Sequence, residues 1–210
     1  MAAGAAALAV ASVIAASPAN AAVTSPGTQI SSLTGRHADR HAEAAVLQLA
    51  RLAAERVMTA DLVAASKWIS GAPVNDPARE EQVLRDMDAK AQELGIDRPT
   101  VQRVFKDQME ANKLVQYALH DRWRDNPEDA PTTAPDLSEI RDRINRINGE
   151  LLTAIGEAAP VLSAPQCHAV RDRAADTVAE EEQLDPLHTQ GLRRALAGLC
   201  TAPPPGPGNA

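Results

Sequence analysis

Arg56 and Lys67 stand eleven residues apart in a stretch dominated by Ala, Leu and Val. At 100° per residue they share a helical arc with Leu49, Leu52, Ala53, Ala60 and Val63, the arc that packs against neighbours. Eleven residues are almost three whole turns, so both cations point the same way from positions about 16 Å apart along the axis. Two long cationic side chains leaning together leave a gap the size of a small anion; snorkelling at a partly exposed edge explains the pattern equally well. Gln48, Glu55, Thr59 and Ser66 form a separate narrow arc that reads as the wet face. Farther on, Asn112 and Gln116 fall inside a stripe made by Phe105, Met109, Leu119 and Trp123. Buried amides need partners, which either a ligand or a structural network supplies. Arg141 borders a stripe of Leu137, Ile144, Leu152 and Ile155, and Asp76, Arg79 and Glu80 lie at a helix start near free backbone N–H groups. Taken together, four cations and two amides on apolar faces suggest a pocket for a small polyanion.

The elements that must position these residues are helices. A first helix is expected from His37 to Ile69, stopped by Gly71 and Pro73. Asp76-Pro77 caps a second, ending near Gly95, and Asp97 with Pro99 opens a third that reaches Trp123 before Asn126-Pro127. Residues 125–136 form a connector. A fourth helix is expected from Ser138 to Ala159, ended by Pro160. Pro165 opens a fifth that stops before Asp185-Pro186, and a short last helix reaches Cys200. No strand-like alternation or internal repeat is visible, so the expectation is an all-α chain: one bundle of about six helices over residues 37–202. Residues 22–36 read as a flexible leader and 203–210 as a disordered Pro- and Gly-rich tail.

An aromatic content of only 2% suits closely packed helices better than a β-sandwich. The formal charge of -7 repels nucleic acid and anionic lipid, so an anionic ligand has to be held by a local basic cluster. Residues 1–21 are apolar and end Ser17-Pro18-Ala19-Asn20-Ala21, the pattern of a signal peptide cut after Ala21, although no Lys or Arg precedes the apolar run. Export to the periplasm or the medium follows, with no membrane attachment after cleavage. In an exported chain two cysteines, Cys167 and Cys200, favour one disulfide over two buried thiols.

Several separated segments together resemble the secreted (gamma) subclass of the all-helical chorismate mutases. They are Ala53-Ala54-Glu55-Arg56, Val63-Ala64-Ala65-Ser66-Lys67-Trp68, Arg79-Glu80-Glu81-Gln82, Val104-Phe105-Lys106-Asp107-Gln108 with Asn112 and Gln116, and Asp136-Leu137-Ser138 ahead of Arg141. The two cysteines also fall at the positions of that subclass's disulfide, and the likeness spans roughly residues 43–202. The resemblance implies a type II-like helical domain that converts chorismate to prephenate, without a cofactor or metal, as a homodimer. It implies that Arg56 and Arg141 grip the two substrate carboxylates and that Lys67 and Gln116 donate to the breaking ether oxygen. Arg79 falls near the ring carboxylate, and Glu80 and Asp76 near the ring hydroxyl. Asn112 corresponds to a carboxylate-binding Ser or Thr, and Gln116 stands where several secreted members carry Glu.

Two other classes compete. A catalytically silent exported binding module would share the fold, but it has no reason to keep cations in an apolar setting. A metal-binding bundle rests only on His37 and His41, four apart at the extreme helix start, where an exposed, non-ligating pair is expected. His120, His168 and His188 read as isolated surface or packing residues, and Asp142, Arg143 and Arg146 as the solvated side of the fourth helix.

Overall fold

A computed structural model describes residues 26–201, with side chains from residue 40 onward. The expected signal segment 1–21 and tail 203–210 lie outside the described residues. Six α-helices and one short turn of 3₁₀-helix follow in order: α1 (Pro26–Ser70), α2 (Pro77–Leu94), α3 (Arg98–Asp125), the 3₁₀ turn (Pro127–Asp129), α4 (Leu137–Leu162), α5 (Cys167–Glu181) and α6 (Pro186–Ala195). The described chain is all-α, and a disulfide joins Cys167 to Cys200.

Local chemistry sets most of these boundaries. Aspartates cap four helices: Asp76 accepts from the Arg79 N–H, Asp97 from Thr100, Asp136 from Ser138 and Asp185 from His188. Each satisfies one of the donors that a helix start leaves unpaired. Gly95 closes α2 in the left-handed conformation at φ 67°, where its N–H returns to the Ala91 and Gln92 carbonyls.

Three boundaries differ from expectation, and one of them is α6, which ends at Ala195 short of Cys200. Helix α1 begins at Pro26, inside the stretch read as a flexible leader. Proline is preorganised for a first helical position, and no second proline occurs until Pro73. Helix α4 continues through Pro160 to Leu162, where the sequence pattern ended it. An interior proline costs about 3 kcal/mol. Val161 and Leu162 are both buried beyond it, and two such side chains gain about 1.5–3 kcal/mol each, enough to carry the last turn.

The long α1 is the axis of the bundle, packed against α3, α4, α5 and α6, with α2 laid across α3. Helix α6 approaches closely at Gly191, where a Cβ would fall 2.8 Å from Val57 Cγ1 on α1. This central position explains a correction to the wet face. Gln48 is exposed and Glu55 partly so, but Thr59 and Ser66 are buried. A helix wrapped on most sides has little face left for water, and Thr59 satisfies its hydroxyl on its own helix by donating to the Arg56 carbonyl at 2.6 Å.

Candidate active site

A cavity of about 310 Å³ opens where α1, α2, α3 and α4 diverge. Its wall includes Arg56, Lys67, Asp76, Arg79, Glu80, Asn112, Gln116 and Arg141, every site residue expected from the sequence. Lys113 lines it as well. Five cations and two carboxylates give this wall a local excess of three positive charges, in a chain whose formal charge is -7.

Arg56 is the most buried of the cations, 5% exposed. Its Nε donates to Asn148 Oδ1 at 3.1 Å and its Nη1 to the Gln108 carbonyl at 2.8 Å. Both partners are neutral, so burial goes uncompensated by an opposite charge and pulls the guanidinium pKa down to about 10. Lys67 is partly buried and donates to the Val74 carbonyl at 2.6 Å in the turn between α1 and α2. Burial lowers its pKa from the ordinary lysine range, and Lys113 adds to that drop while Asp76 and Glu80 oppose it. Arg79 reaches Gln82 Oε1 at 3.3 Å, and Arg141 sits exposed at the rim. None of these four cations forms an ion pair among the described residues. Lys113 differs, held by Glu80 on α2 and Glu110 on its own helix.

The amides form a chain from α3 to α1. Gln116, 3% exposed, donates through Nε2 to Asn112 Oδ1 at 2.6 Å. Asn112 in turn donates through Nδ2 to the Arg56 carbonyl at 3.1 Å. Gln116 Oε1 is buried with no partner. A buried arginine without an ion pair, three further unpaired cations and one orphaned acceptor around a small cavity are what a polar, anionic ligand would complete.

Residues 47–117 match the family described as chorismate mutase type II. The secreted chorismate mutase of Mycolicibacterium smegmatis is 37% identical over 164 residues, covering 78% of this chain and 91% of that protein. The secreted chorismate mutase of Mycobacterium tuberculosis is 40% identical over 161 residues, covering 75% of this chain and 81% of the relative. The chain belongs to the type II chorismate mutase family. Its fold agrees with the crystal structure of chorismate mutase from Burkholderia phymatum, with a TM-score of 0.71 and 40% identity over 76% of this chain and 98% of that one.

Within this member of the family, sequence reasoning missed three contributors to the cavity and its support. Asn148 and Gln108 are buried amide residues on apolar stripes, the same signal that singled out Asn112. Asn148 lies four residues from both Ile144 and Leu152, and Gln108 three after Phe105 and four before Asn112. Lys113 carried no such signal, because its partner Glu80 is 33 residues away on another helix. Of the histidines, His188 needs correction, since it is not isolated. His188 is buried between Asp61 at 3.0 Å and Asp185 at 2.9 Å, and His120 packs against Trp68 and Trp123. Among the described residues no group of His, Cys, Asp and Glu is arranged to hold a metal ion.

Proposed function

We propose that this chain is a chorismate mutase that rearranges chorismate to prephenate in the cavity between α1, α2, α3 and α4. The reaction breaks one ether C–O bond and forms one C–C bond within a single molecule. It moves no proton and needs no covalent intermediate. Catalysis then reduces to holding a dianion in its compact conformer and stabilising charge on the ether oxygen as that bond breaks. The observation that carries the reading is the set of four cations without ion pairs, above all the buried Arg56. A cation is costly to bury alone, and a bound carboxylate would offset that cost.

In this reading Arg56 and Arg141 take the two carboxylates from opposite ends of the cavity, with Arg79 beside the ring carboxylate. Lys67 and Gln116 donate to the ether oxygen. Glu80, steadied by Lys113, and Asp76 with its neighbouring backbone take the ring hydroxyl. Purified protein should consume chorismate with saturation and form one prephenate for each chorismate lost. A folded chain that binds chorismate without rearranging it would instead be a silent binding module.

The same proposal includes export and a homodimer. Two mycobacterial relatives are named secreted, and among the described residues no helix is long and apolar enough to cross a membrane. Met58, Leu62 and Ile69 are exposed along one stripe of α1, an apolar face suited to a second copy. Mass spectrometry of the exported protein, expected to begin after Ala21, and sedimentation of the purified chain test these two points.

A further inference from the structure

The amide chain through Asn112 has a fixed direction. The Arg56 carbonyl can only accept, and it takes the Thr59 hydroxyl at 2.6 Å and Asn112 Nδ2 at 3.1 Å. Thr59, its single hydrogen already given, offers a lone pair to the same Nδ2 at 3.5 Å. Turning the Asn112 amide end for end would set its own oxygen against the Arg56 carbonyl. Asn112 Oδ1 is therefore held toward the next turn of α3, where Gln116 Nε2 donates to it at 2.6 Å. Reversing Gln116 would bring Oε1 against Oδ1, so that amide is fixed too. One Nε2 hydrogen of Gln116 remains uncommitted in the cavity wall.

We infer that Asn112 is a positioning residue: it keeps an N–H of Gln116, rather than its carbonyl, turned toward the breaking ether oxygen. This rests on the reading of Gln116 as an ether-oxygen donor. It gives position 112 a role beside the carboxylate contact that the resemblance implies. One Nδ2 hydrogen is shared between the Arg56 carbonyl and Thr59 Oγ1, which anchors Asn112 on α1 while its Oδ1 holds Gln116. Swinging Asn112 off α1 would break these bonds and release Gln116 to rotate. The unpartnered Oε1 shows why the hold matters, since a free Gln116 would gain by turning that oxygen to any donor in the cavity. The chain also begins at the backbone of Arg56, so one network registers the α1 cation against the α3 donor.

The test is a double-mutant cycle on kcat and KM with Asn112→Leu, Gln116→Leu and the double variant. Circular dichroism checks that each is folded, and Asn112→Ala gives the same readout should Leu not be accommodated. Asn112→Leu is expected to lower kcat by roughly 10- to 100-fold with KM within about twofold, the cost of a misaligned donor. The double variant should be no slower than Gln116→Leu alone. A raised KM with unchanged kcat, or losses that multiply in the double variant, would overturn the inference. If Gln116→Leu keeps the parent kcat, the donor role of Gln116 fails and the inference falls with it. Chorismate turnover by the parent protein separates that outcome from a failure of the proposed reaction.

Discussion

Arg56 Nε donates to Asn148 Oδ1 across the packed faces of α1 and α4, so the most buried cation of the site is aimed by a neutral amide. With Nη1 also committed to the Gln108 carbonyl, the guanidinium cannot swing, and its remaining N–H groups are available to a ligand. A carboxylate partner in place of Asn148 would have neutralised the charge and removed its attraction for an anion. Two neutral acceptors orient the group and leave its charge uncompensated.

Replacing Arg56 by Met should therefore separate activity from stability. Loss of a buried charge-assisted contact is expected to lower kcat/KM by about 10²–10³. Unfolding free energy should fall by only about 1–3 kcal/mol, because removing the desolvated charge offsets part of the loss from Asn148 and Gln108 becoming unsatisfied. Steady-state kinetics and urea titration of the same preparation measure both.

The pH dependence of turnover should be flat from pH 5 to 8, since Gln116 has no proton to lose. Lys67 must be protonated to donate, and burial lowers its pKa. Activity is thus present below the Lys67 pKa and falls as pH rises through it, earlier than for an exposed lysine. Gln116→Glu should add a second loss with rising pH, as the carboxyl ionises and can no longer donate. A steep fall above pH 6 in the parent protein would count against Gln116.

His188 ties the start of α6 to α1 through Asp61 and Asp185. The hydrogen bond to Asp61, followed by that to Asp185, raises its pKa from 6.5 to about 9, against the opposing effect of burial. The folded state binds the proton more tightly than the unfolded chain. The resulting stability is fully present below about pH 6.5 and lost as pH rises through about 9. The two carboxylates are about half exposed, so the loss should be roughly 1–2 kcal/mol, less than the shift alone implies. Thermal melts at pH 6 and pH 10 should differ more for the parent than for His188→Gln.

Cys167 and Cys200 are 33 residues apart, and neither lines the cavity. Reduction should release about 3–4 kcal/mol of unfolded-state constraint, lowering Tm by roughly 6–16 °C. Turnover at 25 °C should be unchanged. Melting and activity with and without dithiothreitol check this together.

How much of the site could be read from the sequence depended on which kind of information each residue carries. Arg56, Asn112 and Gln116 were legible because a polar side chain on an apolar stripe breaks a strong periodicity. Asn148 and Gln108 broke it too and were passed over. Thr59 misled for the opposite reason: a small hydroxyl residue can satisfy itself on its own helix, so polarity there does not mean water, and Ser66 faces the cavity wall rather than the outer surface. The Glu80–Lys113 pair joins helices α2 and α3, and no local pattern reports which faces of two helices meet. Pro160 failed as a stop signal because the burial that carries α4 past it is tertiary.

The central claim is that unpaired cations in this cavity rearrange chorismate, and Lys67→Ala tests it most directly. Parent and variant should be assayed side by side for chorismate loss, with circular dichroism confirming the fold of each. Loss of a donor that acts on the breaking ether bond predicts a fall in kcat of about 10²–10³. A folded Lys67→Ala protein that keeps near-parent turnover would contradict the account.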